Sequence, residues 1–263
     1  TMSILLPVAI VAGLGLIFGF GLSIASRAFA VKIDERTAKV RELLPGANCG
    51  GCGFSGCDGL AEAIVNDGVP ASRCPVGGPA GVKAISEYLG IDEGTVDQKV
   101  ARVICQGTCE NARKKYDYEG IEDCHAASVL SGGMNSCNYG CLGFGSCKEV
   151  CPFDAIVVEN GLARILPGKC TGCGKCVAEC PKHIIKMVPV ESSYTVKCSS
   201  HDKGAVSGKN CKVGCIACQK CAKACPVDAI TVSDYLAVID PEKCTNCGEC
   251  AKVCPQKCIT AGA

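Results

Sequence analysis

From Thr1 to Ser26 the chain carries no charged side chain, and beyond it apolar positions come in short runs separated by polar, glycine-rich and cysteine-rich stretches. A helix over residues 4–26 would be about 34 Å long, enough for a hydrocarbon core of about 30 Å, so the pattern predicts a single transmembrane helix. Gly15 and Gly19 stand on it at the small-xxx-small spacing that lets helices approach closely in lipid. Ala28-Phe29-Ala30 resembles a signal-peptide cleavage site, but no positive residue precedes the apolar run, and the run is longer than a usual signal core. Positive residues follow it instead, at Arg27, Lys32, Arg36, Lys39 and Arg41, which assigns the C-terminal side to the cytoplasm.

Residues 31–44 read as a charged amphipathic helix stopped by Pro45-Gly46, with further helices over 58–66 and near 81–88. Residues 92–100 are polar and read as a linker, and 100–105 as a short strand. Further on, apolar alternation predicts two β-hairpins, 156–158 with 163–165 and 230–232 with 237–239. Residues 184–188 are expected to open a third hairpin that returns near 194–196.

Composition narrows what holds these pieces together. The chain has 263 residues, no Trp, 5% aromatics and 32 Gly, so a large apolar core is not expected. Its 26 cysteines would suit a disulfide scaffold in a secreted protein. Their spacing points to iron instead, and thiolates committed to iron need a reducing compartment. Metal binding then supplies much of the folding free energy.

Cys170, Cys173, Cys176 and Cys180-Pro181 recur at a constant offset as Cys244, Cys247, Cys250 and Cys254-Pro255. At the same offset Cys151-Pro152 recurs as Cys225-Pro226, within the near-identical strings CPFDAI and CPVDAI. The spacing C-x2-C-x2-C-x3-C-P is the ferredoxin signature: three thiolates on a tight loop cap three irons of a cubane, and the fourth ligates the neighbouring cluster. By that rule Cys170, Cys173 and Cys176 go with Cys151, Cys244, Cys247 and Cys250 with Cys225, and Cys215, Cys218 and Cys221 with Cys254. Zinc sites use two well-separated C-x2-C pairs, and a third cysteine two residues on would crowd a tetrahedral ion.

The first copy departs at one position, because the counterpart of Cys218 at that offset is Phe144. Cys141, Cys147 and Cys180 are left one ligand short. Cys137, the counterpart of Cys211, is expected to complete them; the alternative is a three-iron cluster with an open corner. Cys124 is likewise the counterpart of Cys198.

A separate module holds Cys49, Cys52 and Cys57 on the loop NCGGCGFSGC, with Cys74-Pro75 beyond, a C-x2-C-x4-C-x16-C spacing that suits a fifth cubane. Its glycines let backbone N–H groups turn toward sulfide. A sixth [4Fe-4S] cluster is expected from Cys105, Cys109 and Cys124 with Cys198 or Cys211; the alternative for these is buried free thiols. Cys258 reads as a free thiol.

The formal charge of +1 counts every cysteine as neutral. Six oxidised clusters would carry the protein to roughly −11. Lysines scattered among the motifs, Lys220, Lys223, Lys243 and Lys252 among them, read singly as solvated surface and together as steering for an acidic partner such as a soluble ferredoxin. None of His125, His183 and His201 has the acid or nucleophile neighbours of a catalytic group, so no catalytic residue is expected. No dinucleotide fingerprint and no basic stripe with aromatics occurs, which argues against NAD or nucleic acid on this chain.

The order of parts, PGANCGGCGFSGC, then VICQGTCENARKKYDYEGIEDC, then YGCLGFGSCKEVCPFDAI and its repeat, closely resembles the B subunits of Rnf complexes in their long clostridial-type form. The resemblance implies a multi-cluster subunit of an ion-pumping ferredoxin:NAD+ oxidoreductase. It would take electrons from soluble reduced ferredoxin and pass them toward the other membrane and peripheral subunits, with flavin and NAD chemistry on those subunits and no substrate chemistry of its own. The competing reading is a ferredoxin-like subunit of a soluble 2-oxoacid or hydrogenase-type oxidoreductase.

The expected fold class is α+β: a transmembrane anchor (1–27), a small 4Fe-4S module (28–90) and a connecting segment with an additional cluster (91–136). Two bacterial-type dicluster ferredoxin units (137–190 and 211–263) follow, joined by a connector (191–210). The expected location is the cell (inner) membrane, single-pass, with the iron-sulfur domains on the cytoplasmic side.

Overall fold

The computed structural model describes residues 2–29, 34–92 and 98–261. Helix α1 (Met2–Ala28) is continuous, and Ile10, Leu14, Ile17, Phe18 and Phe20 on it are exposed. The expected transmembrane anchor is not supported: among the described residues no helix is long and apolar enough to cross a membrane. The side chains described in α1 are those of 10–26. The remainder of the expected anchor lies outside the described side chains.

Helix α2 (Glu35–Leu43) starts at Asp34, whose carboxylate accepts the Arg36 N–H at 2.9 Å. It packs on α3 (Cys57–Asn66) and α4 (Gly78–Leu89) through a small core of Val40, Leu60, Ile64, Val82 and Ile85. Apolar residues three and four apart put these side chains on the inner faces. Gly90 takes the left-handed conformation (φ 67°) that ends α4. The polar linker expected over 92–100 lies partly outside the described residues, and its last two positions belong to the next strand.

The rest of the chain consists of very short elements. The first ferredoxin-like unit contains β1 (Lys99–Val103), α5 (Cys124–Val129), α6 (Ser146–Glu149), β2 (Ile156–Glu159), β3 (Leu162–Ile165), α7 (Lys175–Glu179) and β4 (Ile185–Pro189). The second contains β5 (Tyr194–Val196), α8 (Gly204–Asn210), α9 (Lys220–Lys223), β6 (Ile230–Ser233), β7 (Leu236–Ile239), α10 (Glu249–Lys252) and β8 (Ile259–Ala261). The two predicted hairpins form in equivalent registers, Ile156 opposite Ile165 and Ile230 opposite Ile239.

The third predicted hairpin does not form. β4 pairs antiparallel with β1, Lys186 opposite Arg102, and β5 pairs with β8, Val196 opposite Ile259. Each unit thus closes with a ladder between its own first and last strands, and residues 190–193 carry the chain from one unit to the next. Ile184, Ile185, Val196 and Ile259 are all buried by this pairing. A 185–196 hairpin would have left β1 and β8 as unpaired edges.

Candidate iron-sulfur centres

The loop between α2 and α3 is pinned at both ends. Asn48, itself in the left-handed region (φ 45°), accepts the Cys57 N–H at 2.8 Å, and Arg73 Nε donates to the Cys52 carbonyl at 3.0 Å. Cys52, Cys57 and Cys74 come together in the interior. Burial pushes the Cys74 thiol up, and the neighbouring Cys52 and Cys57 act in the same direction. Cys49 lies near Cys173 of the first ferredoxin-like unit and adds to the effect of burial in raising that thiol. The two loops touch so closely that a Cβ on Gly51 would stand 2.6 Å from the Cys173 carbonyl oxygen.

In the first unit, Cys151, Cys170, Cys173 and Cys176 line one cavity with Ile156 and Ile165. The Ala155 N–H points at Cys151 Sγ (3.4 Å), and Ala229 does the same to Cys225 (3.3 Å), so the CPFDAI and CPVDAI strings make the same turn. A second cavity is lined by Cys141, Cys147, Cys180 and Cys124. Burial drives the Cys147 thiol up to about 12, reinforced by Cys141, Cys124 and Cys180 of the same cavity and by Cys176 of the first.

Cys137, expected to complete this second group, lies elsewhere, and Cys124 takes the position. Asp123 caps α5 by accepting the Ala126 N–H (2.8 Å) and the Ser146 hydroxyl (2.7 Å), while the Cys124 N–H donates to Ser146 Oγ (2.9 Å). These bonds fix Cys124 against α6, beside Cys147. Phe144, which replaces a cysteine of the repeat, packs against Tyr118 with ring centroids 5.3 Å apart and ring planes tilted by 54°.

Cys137 instead faces Cys198 and Cys211, whose charges add to the effect of burial in raising its thiol. Burial raises Cys105 to about 12, with Cys141 and Cys137 adding to it. A Cβ on Gly107 would stand 3.5 Å from Cys105 Sγ and 3.8 Å from Cys211 Sγ. Cys105, Cys137, Cys198 and Cys211 therefore form a group of their own between the two units. Cys105 follows the last residue of β1 by two positions, as Cys198 follows that of β5, so the strings RVIC and TVKC were the sequence signal for it. Of the set expected for the sixth cluster, Cys124 belongs to the neighbouring cavity, and Cys109 is exposed, its N–H bonded to the Asn160 carbonyl at 2.9 Å.

In the second unit Cys215, Cys218, Cys221 and Cys254 line a cavity together with Cys258. The Cys215 N–H points at Cys198 Sγ (3.3 Å), which ties this cavity to the group between the units. Burial raises the Cys250 thiol, with Cys244 and Cys247 adding to it, and Cys225 packs in the same core.

Among the described residues no three or more His, Cys, Asp or Glu side chains are gathered so as to hold a metal ion. A single zinc ion would draw its thiolates to about 2.3 Å from one point. The cysteines around Cys147, Cys173 and Cys221 line cavities instead, an arrangement that fits thiolates on the corners of an iron-sulfur cube. Cys124→Ala is expected to lower iron content by about four per chain and Cys109→Ala to leave it unchanged. Iron analysis after anaerobic reconstitution checks both, and equal loss in the two variants would refute the grouping.

Family comparisons agree with this chemistry. Residues 44–76 match an Fe-S cluster family, and residues 134–181, 169–230 and 214–258 each match a 4Fe-4S dicluster domain. The B subunit of the Na(+)-translocating ferredoxin:NAD(+) oxidoreductase complex of Acetobacterium woodii is 51% identical over 92% of this chain and 73% of its own length. The B subunit of the ion-translocating oxidoreductase complex of Methanosarcina acetivorans is 44% identical over 90% of each chain. Its equivalent in the proton-translocating ferredoxin:NAD(+) oxidoreductase complex of Clostridium ljungdahlii is 42% identical over 88% of this chain and 82% of its own. This protein carries [4Fe-4S] clusters, and it belongs to the B-subunit family of ion-translocating oxidoreductase complexes, as an iron-sulfur electron-transfer subunit.

Proposed function

We propose that the chain is a linear relay of six [4Fe-4S] clusters that receives electrons from reduced ferredoxin and delivers them toward the membrane subunits for NAD+ reduction. The observation that carries this reading is the unbroken adjacency of the six cysteine groups. Cys49 of the first group, with Cys52, Cys57 and Cys74, neighbours Cys173 of the second, with Cys151, Cys170 and Cys176. Cys176 neighbours Cys147 of the third, with Cys124, Cys141 and Cys180. Cys141 neighbours Cys105 of the fourth, with Cys137, Cys198 and Cys211. Cys198 neighbours Cys215 of the fifth, with Cys218, Cys221 and Cys254. Cys225, Cys244, Cys247 and Cys250 hold the sixth, in one core with the fifth.

Electrons enter at the sixth or fifth cluster. Cys218 and Cys247 are exposed there, and Lys220 and Lys223, close to Cys218 in sequence, are exposed as well, while Lys243 and Lys252 are paired with Asp240 and Glu249. Exposed lysines close to an exposed cluster ligand suit an acidic ferredoxin, whose docking would be salt-dependent. The opposite end lies in the small module (28–90) that follows α1, and the exposed apolar side chains of α1 support attachment to the membrane-bound part of the complex. The connecting segment (91–136) supplies β1 and α5 to the first ferredoxin unit, and the connector (191–210) supplies β5 and α8 to the second. Reduced thiolates favour the cytoplasmic side.

The test is anaerobic stopped-flow mixing of reconstituted protein with reduced ferredoxin. Uptake of about six electrons per chain supports the relay; no uptake at full iron content would refute ferredoxin as donor. Gly51→Ala, which forces the Cys173 loop away, is expected to retain all irons and slow the last step, reduction of the Cys49 cluster. An unchanged rate would remove the contact between the first two clusters from the path.

A further inference from the structure

The second unit holds one thiol more than its clusters use. Across the internal repeat, Cys141, Cys147, Cys180 and Ile184 of the third cluster's cavity correspond to Cys215, Cys221, Cys254 and Cys258 of the fifth cluster's. Ile184 and Cys258 are equally buried, at 2% exposure. Their backbones match as well. The His183 N–H reaches the Cys180 carbonyl (2.9 Å) and the Lys257 N–H the Cys254 carbonyl (3.2 Å), with His183 and Lys257 both left-handed at φ 52° and 50°. Ile104 donates to the Ile184 carbonyl and Lys197 to the Cys258 carbonyl, each at 2.7 Å. The two sites therefore differ in side chain on the same scaffold, isoleucine in one and cysteine in the other.

Buried cysteine often serves as a small apolar residue. Packing alone would be met by the isoleucine that the first unit uses. Cys258 Sγ instead stands 3.5 Å from Cys254 Sγ and lines the same cavity as Cys215, Cys218 and Cys221. Five sulfurs thus face a space in which a cubane takes four.

We propose that Cys258 is a reserve ligand of the fifth cluster, able to take over the iron held by Cys254. In the exchange the iron–Cys254 bond breaks, an iron–Cys258 bond forms, and the thiol proton of Cys258 passes to the Cys254 sulfur, with no change in electron count. A thiol in contact with the ligand sulfur needs only side-chain rotation to reach the iron, so the cluster survives loss or oxidation of Cys254. Its counterpart in the first unit, with Ile184 in that position, has no such substitute. The inference rests on the ligand set proposed for the fifth cluster.

The experiment uses the full chain, reconstituted anaerobically, with iron content and the electron paramagnetic resonance of the reduced protein as readouts. Cys254→Ala is expected to keep all its iron with an altered signal, whereas Cys180→Ala loses one cluster, about four irons. Cys254→Ala combined with Cys258→Ala loses one cluster as well, and Ile184→Cys restores the iron that Cys180→Ala loses. Loss of one cluster from Cys254→Ala alone, or failure of Ile184→Cys to rescue, overturns the proposal. Cys218→Ala separates the two readings: it removes one cluster if the ligand set is right, and unchanged iron in that variant overturns the set and the reserve role together.

Discussion

Cys198→Ala is expected to divide the relay in two, leaving about twenty irons per chain in place of about twenty-four. The reason is the place proposed for the fourth cluster. Cys105 and Cys137 come from the first unit's side, Cys198 and Cys211 from the second's, and the isolated bridge between Ala112 and Cys211 ties the two sides. This group neighbours both Cys141 of the third site and Cys215 of the fifth. Losing this cluster opens a gap where two short steps had been, and tunnelling falls steeply with distance. Electrons from reduced ferredoxin should then stop after about two per chain, on the fifth and sixth clusters, while a small chemical reductant still reduces all five that remain. Uptake of about three would mean that electrons enter from the opposite end. Undiminished rapid uptake beyond three would refute the bridging role. Because Cys198 also accepts the Cys215 N–H, the fifth cluster's signal should shift slightly even though its ligands are intact.

The internal repeat made most of this site legible in advance. Cys151, Cys170, Cys173 and Cys176, and their second-unit counterparts, follow a local motif whose loop geometry is set by a few residues. The same holds for the glycine-rich module of Cys49, Cys52 and Cys57. Legibility failed where the copies diverge. The interval between β1 and Cys141 is longer than that between β5 and Cys215, so a constant offset aligned Cys124 with Cys198, although Cys105 is the residue that follows its strand as Cys198 does. Cys124 lines the cavity in which Phe144 replaces a cysteine of the repeat, and Cys137 joins Cys211, its repeat counterpart, in the group between the units. The β4–β5 hairpin failed for a related reason: apolar alternation reveals a strand but not its partner, and 190–193 is short enough to suggest a turn. What decided the pairing was closure of each unit on its own first strand, a nonlocal event.

Removing iron from the protein is expected to unfold 98–261 as a whole. Helices α6, α7, α9 and α10 have four or five residues each, and the sheets have two strands each. Isolated helices shorter than about 12 residues are marginal in water, and so are lone two-stranded ladders. The cores that should compensate are themselves built on ligands: Cys141, Cys147 and Cys176 sit with Ile156 and Ile185 in one, Cys215, Cys221 and Cys250 with Ile230 and Ile259 in the other. Eleven residues of 98–261 other than glycine are held at positive φ, several of them beside cysteines, which adds a backbone cost that the bound clusters help offset. Anaerobic chelation should therefore abolish protease resistance in this region, while α3 and α4 lose less because Leu60, Ile64, Val82 and Ile85 pack without sulfur. A cooperative thermal transition in the iron-free protein matching that of the loaded one would sink this account. Reloading carries a pH signature. In the unfolded, iron-free chain the thiols stand near the ordinary cysteine value of about 8.5, so at neutral pH each must lose a proton to bind iron. Iron competes with those protons, and its affinity should rise with pH from about 6 to about 9, with protons released to the buffer as each cluster assembles.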